Sequence, residues 1–159
     1  MRVTVRKIRI KDTPQVSRIL CACYRFLAKH DGFTKKQLAY VIKERGSVLS
    51  LHEQRKEYKF IVAVSCGKPV GVVAVKNNYI AKLYVDMKCH GHGIGKKLYR
   101  AAERLVKKAG YKTLTLETTG YGAHFYKAMG MRSAGHRAVP DGPLKGKKTI
   151  SFMKSLKPG

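Results

Sequence analysis

The spacing of apolar residues changes several times along the chain, and each change predicts an element of secondary structure. Segments rich in β-branched and aromatic residues, bounded by Gly, Pro or Asn, predict strands. The predicted strands are residues 4–10, 58–65, 69–76, 79–85, 113–117, 132–138 and 148–153. Apolar residues that recur three and four positions apart predict helices. The predicted helices run from Asp12 or Thr13 to Asp31, from Thr34 to Gly46, over residues 94–109 and over residues 123–129.

One segment has no clear period. Residues 47–57 mix apolar and charged residues irregularly, and we interpret them as a loop with at most one helical turn. In order, the predicted elements are a strand, two helices, three strands, a helix, a strand, a helix and two strands. That order is typical of an α/β fold. We therefore predict an α/β sandwich over residues 1–159, forming one domain, with a mixed central sheet of about six to seven strands and about four helices.

The composition indicates a folded protein and bears on its cellular location. The chain has 159 residues, of which 44% are hydrophobic, and this is enough to bury a core. No apolar run approaches the ~20 residues that a membrane span needs. The alternating N-terminus, from Met1 to Lys7, is unlike a secretory signal. We therefore expect a cytoplasmic protein without a membrane partner, as a monomer or a homodimer.

The net charge is unusually positive. There are 34 Lys and Arg residues against 9 Asp and Glu residues, and the formal net charge is +25. A positive field of this size attracts polyanions such as nucleic acid, an acidic protein surface or a phosphate-bearing cofactor. Because the basic residues are spread over the whole chain, the charge alone does not select among these partners.

The most informative chemistry lies in a loop between a buried strand and the most strongly amphipathic helix. Gly91, Gly93 and Gly95 recur at every second position of this loop. Glycines let successive backbone N–H groups converge on one point, and the first turn of the following helix adds the positive end of its dipole. Lys96 and Lys97 add full positive charges. The loop is therefore predicted to bind a pyrophosphate.

Other interpretations of this loop fit less well. A P-loop requires Gly-Lys followed by Ser or Thr, but Lys96 is followed by Lys97 here. A Rossmann fingerprint requires Gly-x-Gly-x-x-Gly in the first βαβ unit, whereas the preceding strands here are predicted to form hairpins. The neighbouring Cys89, His90 and His92 match no zinc-binding spacing, so we predict no metal site.

Two motifs resemble those of one enzyme family. Residues 83–95, which read LYVDMKCHGHGIG, resemble the acetyl-CoA-binding motif Gln/Arg-x-x-Gly-x-Gly/Ala of the GCN5-related N-acetyltransferases (GNAT). Gly93 and Gly95 match the glycines of that motif, whereas His90 stands in the place of its Gln or Arg. Residues 125–131, FYKAMGM, resemble the second signature of the family, Phe-Tyr-x-x-x-Gly-Phe. The order of predicted elements also agrees, so the resemblance covers essentially the whole chain.

The resemblance implies an acetyl-CoA-dependent N-acetyltransferase and assigns roles to several residues. The backbone of Leu83, Tyr84 and Val85 is expected to line the pantetheine arm, where the strand splays from its neighbour. Tyr126 is expected to protonate the departing thiolate, although core packing alone also explains this tyrosine. The loop expected to contact the cofactor, with its N–H groups from Gly91 onward holding the pyrophosphate, consists of His90, Gly91, His92, Gly93, Ile94, Gly95 and Lys96.

The general base is less well defined, because the chain has few acidic residues. Acetyl transfer to an alkyl amine at neutral pH requires removal of a proton from that amine. Glu117, at the end of a predicted strand, is the candidate, since some relatives carry a glutamate in an equivalent strand. A solvated strand face also explains it. Asp86, a chain of water molecules and an acceptor that arrives neutral are the alternatives.

The acceptor itself is left open by the sequence. A small amine, a protein amine and an aminoacyl-tRNA are all compatible, and the charge allows an anionic acceptor such as tRNA or an acidic protein. A basic nucleic-acid-binding module with a vestigial or regulatory coenzyme A pocket is the alternative function. Against this alternative, the chain lacks a basic motif interleaved with aromatic residues.

Overall fold

A seven-stranded sheet with helices on both faces makes up the computed structural model, which describes residues 1–157. The strands are β1 (Thr4–Lys7), β2 (Lys59–Ser65), β3 (Lys68–Lys76), β4 (Tyr79–Val85), β5 (Thr113–Thr118), β6 (Arg132–Ala138) and β7 (Lys148–Ser155). The α-helices are α1 (Thr13–His30), α2 (Lys35–Val41), α3 (Val48–Gln54), α4 (Ile94–Lys108) and α5 (Gly120–Ala128).

The sheet is mixed, as the sequence predicts. Its strand order is β1-β2-β3-β4-β5-β7-β6, and only the β4–β5 pair is parallel among the described strands. The predicted α/β fold class is confirmed. The described residues form five α-helices rather than about four. None of the helices within residues 1–157 is both long enough and apolar enough to cross a bilayer.

Two apolar cores lie on opposite faces of the sheet, and β3 contributes to both. Val73 and Val75 pack with the buried face of α4, whereas Val72 and Ala74 pack with α1. Successive side chains of a strand point to opposite faces, so a strand covered on both sides must be apolar throughout. This explains why the segment from Pro69 to Val75 is an uninterrupted apolar run.

Residues 47–57, predicted as a loop, contain helix α3, and that prediction was wrong. Ser47 caps the helix, because its hydroxyl accepts a hydrogen bond from the N–H of Ser50 at 3.1 Å. Leu51 is completely buried in the core beneath α1. A two-turn helix that buries a single leucine has almost no apolar period. Its stability comes from tertiary packing, which the sequence pattern does not reveal.

Three other elements differ clearly from their predicted boundaries. The helix predicted from Thr34 to Gly46 is an α-helix only to Val41 and continues as a π-helix over Ile42–Gly46. Strand β1 ends at Lys7, because residues 10–12 form a 3₁₀ turn that leads into α1. Helix α5 begins at Gly120, three residues before the predicted start, although Gly120 and Gly122 both have low helix propensity. Within this first turn, the ring of Tyr121 packs edge-on against Phe26 of α1, with 5.3 Å between the ring centroids. This contact holds the first turn of α5 against α1.

A buried carboxylate ties β1 to the start of α1. Asp12 is 3% exposed and accepts two hydrogen bonds from the guanidinium of Arg6, at 2.7 and 3.0 Å. The backbone N–H of Arg9 donates a third at 2.7 Å. The hydrogen bonds from Arg6 hold the pKa of Asp12 below its ordinary value of 3.8. A buried charge with its partners in place is tolerated, but removing one partner leaves the other uncompensated.

We expect Asp12→Ala to destabilise the fold by about 3–5 kcal/mol at pH 7, because it breaks a buried ion pair. Urea unfolding monitored by circular dichroism measures the change. The control Glu53→Ala removes an exposed pair with Lys56, whose side chains are 66% and 71% exposed, and should change stability by less than about 1 kcal/mol.

The effect of Asp12→Ala should depend on pH with a definite sign. The folded-state pKa is lowered, so the carboxylate stabilises the fold above the unfolded-state value near 3.8 and stops doing so as the pH falls through the folded-state pKa. The difference between wild type and variant should therefore be full at pH 5–7 and shrink below about pH 4. A difference that stays constant down to pH 2 contradicts this account.

Candidate active site

Strands β4 and β5 diverge soon after they begin to pair. Their parallel register contains only two residues of β4, Tyr79 and Ile80. The register of β4 with β3 shifts at Ala81, which is bulged out of the ladder. From Ala81 to Val85, the edge of β4 that faces β5 therefore has no strand partner among residues 1–157. Apart from the Val85 carbonyl, which Cys23 and His90 contact, the backbone groups that point away from β3 along this edge are available to a ligand.

Helix α4 begins with an N-terminus that no side chain caps. Gly93 occupies the N-cap position with a left-handed backbone (φ 73°), a conformation that disfavours residues with a Cβ. The first N–H of the helix with a backbone acceptor is that of Lys97, which donates to Gly93 at 3.1 Å. The three preceding N–H groups have no backbone acceptor within the described chain. Free amides at a helix N-terminus form a binding site for an anion.

Gly95 allows two helices to meet beside this site. A Cβ at Gly95 would lie 3.2 Å from Cε1 of Phe125 in α5, closer than ordinary carbon–carbon contact. Gly71 has the same function beneath the middle of α4, since a Cβ there would lie 2.9 Å from Cδ1 of Leu98. The close approach of α4 to β3 and α5 therefore depends on two positions without side chains.

A cavity of about 590 Å³ joins the open edge of β4 to the start of α4. The cavity brings together predicted site residues that are distant along the chain, such as Leu83 and Tyr126. Of the sequence-predicted residues, His92 does not line the cavity, and its side chain is exposed. The predicted residues that do line it are Leu83, Tyr84, Val85, His90, Gly91, Gly93, Ile94, Gly95, Lys96, Glu117 and Tyr126.

His90 and Cys23 both contact the carbonyl oxygen of Val85. Nε2 of His90 lies 3.2 Å from that oxygen, and the Cys23 thiol donates to it at 3.4 Å. Burial raises the pKa of the Cys23 thiol to about 11, so it stays protonated. The imidazole thus holds the end of β4 against the loop. No group of three or more His, Cys, Asp or Glu side chains in residues 1–157 is arranged to bind a metal ion.

Tyr126 lines the cavity and has a largely buried ring. The residue is 8% exposed, and its ring packs against those of Phe125 and Phe152, with centroid distances of 5.1 and 6.1 Å. No group within residues 1–157 forms a hydrogen bond with its hydroxyl. Burial, with a smaller contribution from Tyr84, raises the pKa of Tyr126 well above its ordinary value. The hydroxyl is therefore a proton donor over the whole neutral range.

Glu117 lines the cavity, but its carboxylate already has two partners. It accepts a hydrogen bond from Nη1 of Arg137 at 3.0 Å and another from the hydroxyl of Thr149 at 3.3 Å. These contacts fix the orientation of the carboxylate and also occupy lone pairs that a general base needs. The nearby Tyr79 hydroxyl has its pKa raised, first by burial and then by the negative charge of Glu117.

Asp86, the alternative base, stabilises the turn that follows β4. Its carboxylate accepts a hydrogen bond from the backbone N–H of Lys88 at 3.0 Å, which begins the 3₁₀ turn after β4. Its own N–H donates to Val70 of β3 at 2.8 Å. Asp86 does not line the cavity described above. It orders the turn that leads into the glycine loop.

The sequence analysis missed two cations of the cavity wall. Lys82 in β4 is 7% exposed, and Arg45 follows α2. Burial, with a smaller contribution from the charge of Arg45, lowers the pKa of Lys82 to about 8. One signal of Lys82 was present in the sequence, because a lysine interrupts the otherwise apolar strand YIAKLYV. Nothing in the sequence indicated that Arg45 reaches the same cavity.

The family comparison agrees with the geometry of the cavity. Residues 31–144 match the model of an acetyltransferase (GNAT) domain. This match includes β4, the glycine loop and α5, and it covers more than half of the chain. No sequence among the curated proteins matches the chain significantly.

Several solved structures share the fold. A GCN5-related N-acetyltransferase from Rhodopseudomonas palustris superposes with a TM-score of 0.86 at 21% identity, covering 98% of this chain and 97% of that one. The PaiA N-acetyltransferase of Thermoplasma acidophilum, solved with coenzyme A, gives 0.76 at 19% identity, covering 98% and 100%. A ribosomal-protein-alanine N-acetyltransferase of Brucella melitensis gives 0.71 at 15% identity, covering 96% and 99%. At these identities the likeness shows the shared fold.

Proposed function

The chain belongs to the GNAT acetyltransferase family, and from this premise we propose that it transfers an acetyl group from acetyl-CoA to a primary amine of its acceptor. We propose that residues 1–159 form a single N-acetyltransferase domain. The proposal rests on two binding features that lie side by side. The uncapped start of α4 and the unpaired edge of β4 open into the same cavity.

The chemical groups of the cavity fit coenzyme A. The free amides at Gly91–Lys96 suit its pyrophosphate, because they combine hydrogen-bond donors with the positive end of the helix dipole. The open edge of β4 at Leu83, Tyr84 and Val85 offers backbone donors and acceptors, which suit the amides of the pantetheine arm. Bound acetyl-CoA supplies an acetyl group activated as a thioester.

Tyr126 is the proposed general acid. Transfer breaks the carbon–sulfur bond and forms a carbon–nitrogen bond, so the departing thiolate gains a proton and the amine loses one. Tyr126 lines the cavity, and its hydroxyl is protonated at neutral pH and has no competing hydrogen bond within residues 1–157. These properties support its role as the donor of that proton.

Glu117 is the proposed general base, and its existing hydrogen bonds limit how it can contact the acceptor amine. Its carboxylate is the only acidic group that lines the cavity in the described chain. It is also bonded to Arg137 and Thr149, so at least one of its lone pairs must turn to the acceptor amine. Its place in the cavity wall favours Glu117 over Asp86, which does not line the cavity.

We expect acetyl-CoA at about 100 times its Kd to stabilise the wild type by roughly 2.7 kcal/mol. For a protein of this size, that raises the Tm by about 5–10 °C. Gly93→Glu should abolish the rise, because it adds a negative charge and a side chain where the amides of α4 converge. Differential scanning fluorimetry with and without acetyl-CoA measures both.

The matched control for this experiment is Gly67→Glu. Gly67 has nearly the same backbone angle as Gly93, with φ 74° against 73°, and an added Cβ has open space at both positions. Gly67 lies in the β2–β3 turn, so its variant should lose intrinsic stability and keep the acetyl-CoA shift. No shift for the wild type at saturating acetyl-CoA would remove the enzyme proposal and favour the basic nucleic-acid-binding module.

Tyr126→Phe should lower kcat by about 10²-fold, the usual contribution of general acid catalysis, and leave the acetyl-CoA shift unchanged. Thiol release under saturating substrates measures kcat. Tyr99→Phe is the control, since Tyr99 is also buried in the same core and its hydroxyl has no partner. It should keep full activity. Equal kcat for wild type and Tyr126→Phe would exclude the acid role.

Glu117→Gln should lower kcat by about 10²-fold or more if Glu117 is the base. Glu103→Gln serves as the control, because Glu103 forms a comparable ion pair with Lys154 at 3.1 Å and does not line the cavity. Both variants should retain the acetyl-CoA shift, which shows that they fold. If the two variants have the same kcat, the proton leaves by another route, such as a water chain.

A further inference from the structure

Lys82 is a buried lysine, and no acidic side chain within residues 1–157 pairs with it. Its side chain lies in the cavity wall with 7% of the residue exposed. Its Nζ donates a hydrogen bond to the hydroxyl of Tyr24 at 3.3 Å and lies 6.0 Å from the centroid of that ring. No carboxylate of residues 1–157 lies within ion-pair distance of it. A buried ammonium without a counter-ion is unfavourable, so the site favours a ligand that supplies one.

Arg45 adds a second unpaired cation to the same wall. It is exposed, it lines the cavity, and none of the ion pairs in the described chain includes it. Its charge contributes, after burial, to the lowered pKa of Lys82, which shows that the two groups interact. With a pKa of about 8, Lys82 remains mostly protonated at neutral pH. The cavity wall therefore carries two positive charges, at Lys82 and Arg45.

The chain does not neutralise this pair from elsewhere. Glu117 is the only acidic side chain that lines the cavity among residues 1–157, and its charge is already balanced by Arg137. Asp86 lies outside the cavity wall and caps the turn after β4. A ligand that fills the cavity therefore meets an excess of positive charge beside Lys82 and Arg45.

These cations are separate from the proposed pyrophosphate site. Tyr84, two residues after Lys82 on the same strand, packs edge-on against Tyr24 of α1, with 5.2 Å between the ring centroids. Leu83 and Val85 pack into the other core, together with Ile94 at the start of α4. Lys82 thus faces the α1 side of the sheet, and the glycine loop lies on the α4 side. The excess charge is left over after the loop has been assigned to coenzyme A.

We propose that Lys82 and Arg45 bind an anionic group of the acceptor, so that the acceptor is a small amine that also carries a carboxylate or a phosphate. The inference rests on the proposed function and names the acceptor class of the same cavity. A small acceptor is specified because Lys82 is 7% exposed, and a group attached to a large polyanion cannot approach so buried an ammonium. A purely cationic amine such as a polyamine is disfavoured, since the wall would repel it.

Paired acceptor probes test the proposal directly. The carboxylate arm uses the common L-amino acids, β-alanine and 4-aminobutyrate, each compared with its carboxamide. The phosphate arm uses O-phosphoethanolamine compared with ethanolamine. Each pair presents the same kind of amine with and without the negative charge, and thiol release from acetyl-CoA gives kcat and KM separately.

The variants are Lys82→Met and Arg45→Gln, with Lys76→Met as the matched control. Methionine keeps the length of the lysine stem and removes an uncompensated buried charge, so Lys82→Met should fold with an equal or higher Tm. Arg45 is exposed, so its replacement leaves the core intact. Lys76 lies on the adjacent strand β3, is 44% exposed and does not line the cavity.

We expect at least one anionic probe to exceed its neutral counterpart in kcat/KM by about tenfold or more, and Lys82→Met to remove that advantage, mainly through KM. Arg45→Gln should act in the same direction, and Lys76→Met should leave the advantage unchanged. Whichever arm shows the advantage identifies the anion as carboxylate or phosphate.

Three results overturn the inference. The first is a kcat/KM for neutral or polycationic amines as high as that for the anionic probes. The second is an anionic advantage that both Lys82→Met and Arg45→Gln leave intact. The third is that no probe is acetylated by a protein that acetyl-CoA stabilises. The last result contradicts the acceptor class and leaves the proposed acetyltransferase function standing. That function fails instead when acetyl-CoA produces no shift in Tm, so the two failures are distinct.

Discussion

The absence of strand pairing between β4 and β5 beyond Ile80 is the constraint on which the rest of the site depends. A continuous sheet would satisfy every backbone group of β4 internally and leave no room beside it. The bulge at Ala81 shifts the register, and the sheet opens into the cavity that Tyr126, Glu117 and Lys82 all line. Helix α4 can begin at the mouth of this opening because Gly71 and Gly95 let it pack closely against β3 and α5.

Scarce acidic residues give the opening its chemical character. The chain has 34 basic residues and only 9 acidic ones, and two of the carboxylates secure the fold. Asp12 joins β1 to α1 through Arg6, and Glu103 joins α4 to β7 through Lys154. Few carboxylates remain to balance the cations of the cavity wall. Within residues 1–157, the same shortage leaves the buried Lys82 without an ion-pair partner.

The elements with strong local signals were predictable, and those stabilised by distant contacts were not. Strand β4 has the predicted boundaries. Helix α4 differs from its prediction by only one residue, because the apolar period of this helix is strong and a glycine lies near each of its ends. Helix α3 escaped prediction because one buried leucine, Leu51, carries its packing. Helix α5 begins early because Tyr121 contacts Phe26 of α1, a residue 95 positions away (121 − 26 = 95). Such a contact leaves no trace in local sequence patterns.

The sequence by itself determined the fold class and, apart from α3, the order of the elements, and it predicted the glycine loop as the place for an anion. These depend on backbone conformation and apolar period, which neighbouring residues set. Only the tertiary structure decided which side chains share the cavity, because α1, the π-helix that contains Arg45, β4 and β5 are separate segments of the chain. It paired Glu117 with Arg137 and, within residues 1–157, placed no carboxylate in ion-pair contact with Lys82. The charge state and partners of a buried group depend on what surrounds it in space, and that is decided by packing.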